Sequence, residues 1–128
     1  MPENAWKKMS EWQATVRAYD EARDWVNPAG IKDLLLNVVE EVGEARNIIK
    51  WVPESQSHSL IMKNKAEWED FIGQLQFLVL KMSYLTDVDV EGALRAAMEE
   101  FEARFPVDKV KGKSANILAG GHDGKYAK

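Results

Sequence analysis

An all-α fold is what this sequence predicts, and three observations carry the expectation. Glycine and proline are sparse, 8 and 4 in 128 residues, and they fall where they divide the chain into four helix-length stretches. Within those stretches the apolar residues recur at the three-to-four spacing of a helix. No alternating apolar–polar segment persists beyond a few residues, so a strand signal is lacking, and no internal repeat is evident. The economical architecture is a four-helix core bundle with an extended C-terminal tail.

The first stretch runs from about Ala5 to Trp25, with Met9, Trp12, Val16 and Tyr19 on one face, and Asn27-Pro28-Ala29-Gly30 breaks it. The second, about Ile31 to Trp51, is apolar over much of its circumference and stops before Pro53. A polar link, Glu54-Ser55-Gln56-Ser57-His58, leads to a third from about Lys65 to Leu85. Asp87-Val88-Asp89 reads as a turn, with Asp89 as N-cap of a fourth helix from Val90 to Phe105, stopped by Pro106. That helix carries its apolar positions at Ala93, Leu94, Ala97, Met98 and Phe101. The two middle helices, being greasier, are expected at the centre of the bundle, and Trp12, Trp25, Trp51 and Trp68 in core or interface packing. From Val107 onward, glycines among lysines predict an extended tail. The domain is expected over residues 1–113 and the flexible tail over 114–128.

Composition narrows the function classes. The 45% hydrophobic and 30% charged residues belong to a globular chain rather than a disordered one. No apolar run approaches the ~20 residues of a membrane span, and the first residues lack the apolar stretch of a signal peptide. The absence of cysteine excludes disulfides, thiolate metal sites and cysteine nucleophiles. Two histidines, His58 and His122, are too few for a multi-histidine site, whereas Asp and Glu number 21. A net charge of −4 argues against general affinity for nucleic acid or an anionic membrane. A cytoplasmic setting is expected.

Two pairs of carboxylates stand where a solvent face does not call for them. With Leu34 at zero and roughly 100° per residue, Val38, Val42, Ala45 and Ile49 fall between roughly 20° and 80°, and Ile48 near 320°. Glu41 lands near 340°, inside this apolar arc, Glu44 at its edge near 280°, and Glu40 further round near 240°. Glu67 and Asp70 repeat the i, i+3 spacing on the third helix, among Trp68, Phe71, Ile72 and Leu75. Four carboxylates meeting across two inner helices would repel one another unless divalent cations lay between them, and hard oxygen donors suit Mg²⁺ or Mn²⁺. Ordinary solvated helix charges are the plainer alternative. A di-iron carboxylate bundle is set aside, because neither histidine stands in an E-x-x-H pair. GGHDGK in the tail lacks the spacing of a P-loop.

Val39-Glu40-Glu41-Val42-Gly43-Glu44-Ala45, then Ile48-Ile49-Lys50-Trp51, then Glu67-Trp68-Glu69-Asp70, resembles the MazG-like and dCTP pyrophosphatase-like all-α nucleoside triphosphate pyrophosphohydrolases. Their signature is E-x-x-E, a variable gap, then E-x-x-D. Here it would be Glu41-x-x-Glu44 and Glu67-x-x-Asp70, separated by 22 residues. Arg23-Asp24-Trp25 resembles the start of the family's first motif, and Arg104 to Lys113 the segment after its last helix, so the likeness covers about residues 10–113. The chain departs from the pattern in one respect. Family members place E-x-x-D about one turn later, which would put Phe71 and Gln74 in the acidic positions. Either the third helix has gained a turn after the site, or half the metal site is lost; an i+4 shift keeps the same face.

The resemblance implies Mg²⁺-dependent attack on the α-phosphorus of a (deoxy)nucleoside triphosphate, giving the monophosphate and pyrophosphate, in nucleotide-pool house-cleaning. Glu41, Glu44, Glu67 and Asp70 would hold Mg²⁺, with Mn²⁺ as a substitute, and Glu40 or Glu41 would position or deprotonate the water. Lys109, Lys111 and Lys113, alternating along an extended tail, would meet the phosphates, with Lys32 and Lys50 as weaker candidates. A base pocket would need an aromatic stack, for which Trp25 and Trp51 are the candidates, and Asn37, on the Glu41 and Glu44 face, would either bond to sugar or base or be a satisfied core amide. A homodimer or homotetramer is implied. The rival reading is a non-catalytic helical nucleotide-binding or dimerisation module that has lost part of the metal site.

Overall fold

The computed structural model describes residues 7–113, which are helical with no β-strand among them. They fall into two compact units, one ending at Val90 and one starting at Glu91. The first holds α1 (Met9–Glu21), a single 3₁₀ turn (Pro28–Gly30), α2 (Ile31–Arg46), α3 (Glu54–Lys63) and α4 (Lys65–Leu85). The second holds α5 (Val90–Arg104), whose first residue closes the first unit, and α6 (Val107–Val110).

The ends of these helices follow from local chemistry. At the start of α1, the Lys8 backbone N–H donates to Glu11 Oε2 at 2.6 Å, half of a capping box. The helix ends four residues before the expected Trp25, because the Asp20 carbonyl accepts the N–H groups of Arg23 and Trp25 and Asp24 takes a left-handed φ of 55°. Asn27 Oδ1 accepts from the Ala29 N–H at 3.2 Å, and Pro28 opens the 3₁₀ turn that starts α2. α2 stops at Arg46 rather than Trp51. Its last groups tighten into i→i−3 bonds at Ile48, Ile49 and Val52, ahead of a proline that cannot donate.

Two segments differ from expectation. The polar link at residues 54–58 is the first half of α3, which begins directly after Pro53 and is anchored by the buried Ser57, its Oγ 3.3 Å from Glu54 Oε2. Asn64 alone separates α3 from α4, its side chain donating to the Leu60 carbonyl at 2.9 Å. The residues from Val107 are likewise not extended: Val107–Val110 form a helical turn, with Pro106 at its N-cap. Ala5 and the segment 114–128 lie outside the described residues.

Within the first unit α4 is the spine. Contacts from α1 meet falling residue numbers as its own numbers rise: Gln13 reaches the Val88 carbonyl just past α4, and Asp20 meets Tyr84 and Lys81. α1 therefore runs antiparallel along the C-terminal half of α4. α2 packs on α4 as well, and its second half faces Ala66 to Phe71. The apolar core is a thin seam between these helices, holding Val16, Leu34, Ala45, Leu78 and Tyr84. Because α2 rests on α4 along one face only, Leu35, Leu36, Val39 and Val42 stay exposed despite their position in an apolar helix. Trp12, Trp25 and Trp51 are exposed as well, and Trp68 is half-buried. In the second unit Leu94, Met98 and Phe101 of α5 are exposed at helical spacing.

Candidate functional site

Glu41 and Glu44 stand one turn apart on the α4-facing side of α2, as do Glu67 and Asp70 on the α2-facing side of α4. The packing of α2 on α4 brings all four to one open cavity of about 420 Å³, completed by Ala45, Ile48, Ala66 and Phe71. Glu41 is half-buried, while Glu44, Glu67 and Asp70 are exposed. The Glu41 carboxyl is held above the usual carboxylate range, first by burial and then by the negative charges of Glu44, Asp70 and Glu40. Charge from both helices is thus felt at one point.

Among the described residues no Lys or Arg forms an ion pair with any of the four. Asp70 has one partner, the Gln74 amide, whose Nε2 donates to Oδ2 at 2.7 Å. No three carboxylate or imidazole groups among the described residues stand close enough to hold one ion as their side chains lie. The donor set itself, all carboxylate oxygens with uncompensated charge, is of the kind that takes Mg²⁺ or Mn²⁺ and not a softer metal. The donor atoms thus fit a hard cation in kind, while the side chains as they lie do not converge on one.

The two possible registers of the second acidic pair share one face. Phe71 lines the cavity and Gln74 bonds to Asp70, so the four-residue offset moves the pair along the helix without turning it away. The other sequence-derived residues are more scattered. Glu40 is exposed and outside the cavity lining, yet near enough to act on Glu41. Asn37, also exposed, lies one turn before Glu41 and does not line the cavity. Trp25 sits past the end of α1, edge-on to Tyr19 at 6.0 Å between ring centroids. Trp51 is 86% exposed, with the Lys50 Nζ over its ring at 4.9 Å. Neither indole lines the acidic cavity.

The lysine expectation needs correction. Lys109 lies in α6 and Lys111 at its C-cap, so the three lysines do not share one side as alternate residues of an extended chain would. A helical turn rotates successive residues by roughly 100°, placing Lys109 and Lys111 well apart. All three are exposed and belong to the second unit.

Sequence reasoning missed a second polar cluster, Asp20 with Lys81 and Tyr84. A signal was present: Asp20 follows Val16 by four residues, on the same helix face as the one buried apolar residue of α1.

No protein-family model, curated protein or solved structure matches the chain.

Proposed function

We propose that the protein is a cytoplasmic nucleoside triphosphate pyrophosphohydrolase, built on a four-helix core of the MazG-like type and working as a homodimer or homotetramer. It would cleave the α–β phosphoanhydride of a (deoxy)nucleoside triphosphate in house-cleaning of the nucleotide pool. The observation that carries this reading is the meeting of Glu41, Glu44, Glu67 and Asp70 at one cavity with no Lys or Arg paired to any of them among the described residues. Carboxylates gathered without counter-charge cost the metal-free protein stability, and a divalent cation removes that cost.

Mg²⁺ held by Glu41, Glu44, Glu67 and Asp70 would supply charge neutralisation and Lewis acidity to an incoming triphosphate. The chain's own residues divide the remaining work. Glu41, half-buried at the cavity, or Glu40, exposed beside it, would position or deprotonate the attacking water. Trp25, Trp51 and Asn37 stand outside the cavity, so as base or sugar contacts they would act at its margins or from a neighbouring copy. The test is pyrophosphate release from a panel of ribo- and deoxyribonucleoside triphosphates with Mg²⁺. Turnover that Glu41→Gln or Glu44→Gln abolishes is expected; no turnover with either Mg²⁺ or Mn²⁺ overturns the reading.

A specific observation favours a second reading, a non-catalytic nucleotide-binding or dimerisation module. No three acidic groups among the described residues converge as they stand, and an amide, Gln74, occupies the position where the family's register would put an acid. Nucleotide binding without turnover, on a chain that still dimerises, is its signature.

A further inference from the structure

The charged side chain most withdrawn from solvent lies outside the acidic cavity. Asp20, in the last turn of α1, is 0% exposed. Its Oδ2 accepts a hydrogen bond from the Tyr84 hydroxyl and lies 3.1 Å from Lys81 Nζ. Its Oδ1 is buried with no hydrogen-bond partner among the described residues. Lys81 and Tyr84 stand one turn apart on α4, so both reach the same carboxylate.

A buried pair of this kind is a poor source of stability, because apolar side chains of similar volume pack as well or better. What it supplies is direction. The rest of the surface that α1 turns toward α4 is apolar, with Val16 at its centre. The other directional contacts are the edge-on Tyr19–Phe77 ring pair, 6.1 Å between centroids, and Gln13 Nε2 to the Val88 carbonyl at 3.0 Å, which is exposed and ends on the turn beyond α4. Hydrophobic attraction alone has no preferred register. Suitable surface is also not exhausted: an open apolar groove of about 560 Å³ runs beside Met9, Trp12 and Val16 and along α4 from Gly73 to Leu80. In a one-turn slip toward that groove, Asp20 would face Phe77 and Leu80 in place of Lys81 and Tyr84, losing the Tyr84 hydroxyl and the 3.1 Å Lys81 contact, although Lys81 Nζ lies only 6.0 Å from the Phe77 ring centroid.

We propose that Asp20, Lys81 and Tyr84 are a register key, which holds α1 at one position along α4 and excludes the one-turn slip. The key extends into the chain that follows, because the Asp20 carbonyl accepts the Arg23 and Trp25 N–H groups at 3.0 and 2.9 Å and so fixes where the backbone turns toward α2.

The test is an electron–electron distance measurement on the full chain, which contains no cysteine of its own. Nitroxide labels go on Ala14→Cys and Glu69→Cys, both exposed sites. With the key intact a single narrow distance is expected. In Asp20→Leu/Lys81→Met/Tyr84→Phe the distribution should broaden or split into populations about 5 Å apart, one helical turn, with helical circular dichroism retained. A triple variant that keeps the single original distance overturns the proposal. Should that variant lose its helical signal, Phe77→Lys/Lys81→Leu decides instead, since it moves the cation by one turn. A mean distance shifted by about 5 Å supports the key, and an unchanged mean overturns it.

Discussion

Neutralising one carboxylate of the cavity should stabilise the metal-free protein and remove its response to metal. In Glu41→Gln the lost repulsions are those with Glu44 one turn away, with Glu40 beside it and with Asp70 across the cavity. A like-charge pair one turn apart on a helix destabilises by about 0.2–0.5 kcal/mol, and with Glu40 and Asp70 taken at the same scale, relief of all three is worth at most about 1 kcal/mol. For a chain of this length that raises Tm by roughly 3–5 °C in EDTA. Saturating Mg²⁺ acts on the wild type in the same direction and more strongly, by about 2.7 kcal/mol at one hundred times Kd. The two proteins should therefore exchange rank: Glu41→Gln melts higher in EDTA, and the wild type melts higher in Mg²⁺. Thermal unfolding followed by circular dichroism, in EDTA and across a Mg²⁺ titration, reads both halves. If Mg²⁺ shifts the variant as far as the wild type, or if the variant melts lower in EDTA, the four carboxylates do not form one electrostatic unit and the metal-site reasoning fails.

The remaining expectations can be checked on the same preparations. Asp70→Asn should cripple pyrophosphate release while Gln74→Ala retains most of it; the reverse order would assign the site to the later register. Lys81→Met, leaving Asp20 buried without its cation, should cost about 3–5 kcal/mol in urea unfolding, and Tyr84→Phe about 1–3 kcal/mol. The Tyr84 hydroxyl is pushed above the ordinary tyrosine range by burial first and then by Asp20, so the folded protein keeps a proton that the unfolded chain loses near about pH 10. That contribution is complete below about pH 10 and fades as pH rises beyond it, and Tyr84→Phe should flatten that limb of the stability profile; an identical limb would refute the assignment. Gly43→Ala, whose Cβ would meet nothing within 4 Å, should raise stability by about 0.5–1 kcal/mol in urea unfolding.

How much of this was legible in the sequence depended on whether the signal was local. The starts of α2, α4 and α5 fall where Gly30, Lys65 and Asp89 place them, because breakers and the onset of apolar periodicity act within a few residues. The half-buried position of Glu41 was equally readable, since helical geometry puts it beside Leu34 whatever the helix packs against. Two helix ends misled. α1 and α2 stop early through i→i−3 bonding and a left-handed Asp24, neither of which apolar spacing encodes. α3 was hidden by its polarity: its first turns, Glu54 to His58, carry no apolar stripe, and Ser57 is the residue they bury. The Asp20 cluster was hidden for a different reason. Its partners lie 61 and 64 residues away, and no local rule pairs an aspartate with a lysine and a tyrosine at that separation.

The key and the acidic cavity share one rigid element, and this ties their fates. Lys81 follows Asp70 on α4 by eleven residues, about 16 Å of helix axis. α1 docks against the first and α2 against the second, and only the short segment between Ala22 and Gly30 joins them. A slip of α1 by one turn would move its end by about 5.4 Å, which residues 23–29 would have to absorb or pass to α2, whereas the proposed constellation of ligands would tolerate about 0.5 Å. The apolar seam alone cannot supply that precision, because it is thin and its attraction is without direction. A buried ion pair that contributes little to stability is thus suited to fix the register of a helix whose contact with α4 is otherwise largely apolar. Its loss should be felt at Glu41 and Glu44 although neither residue touches it.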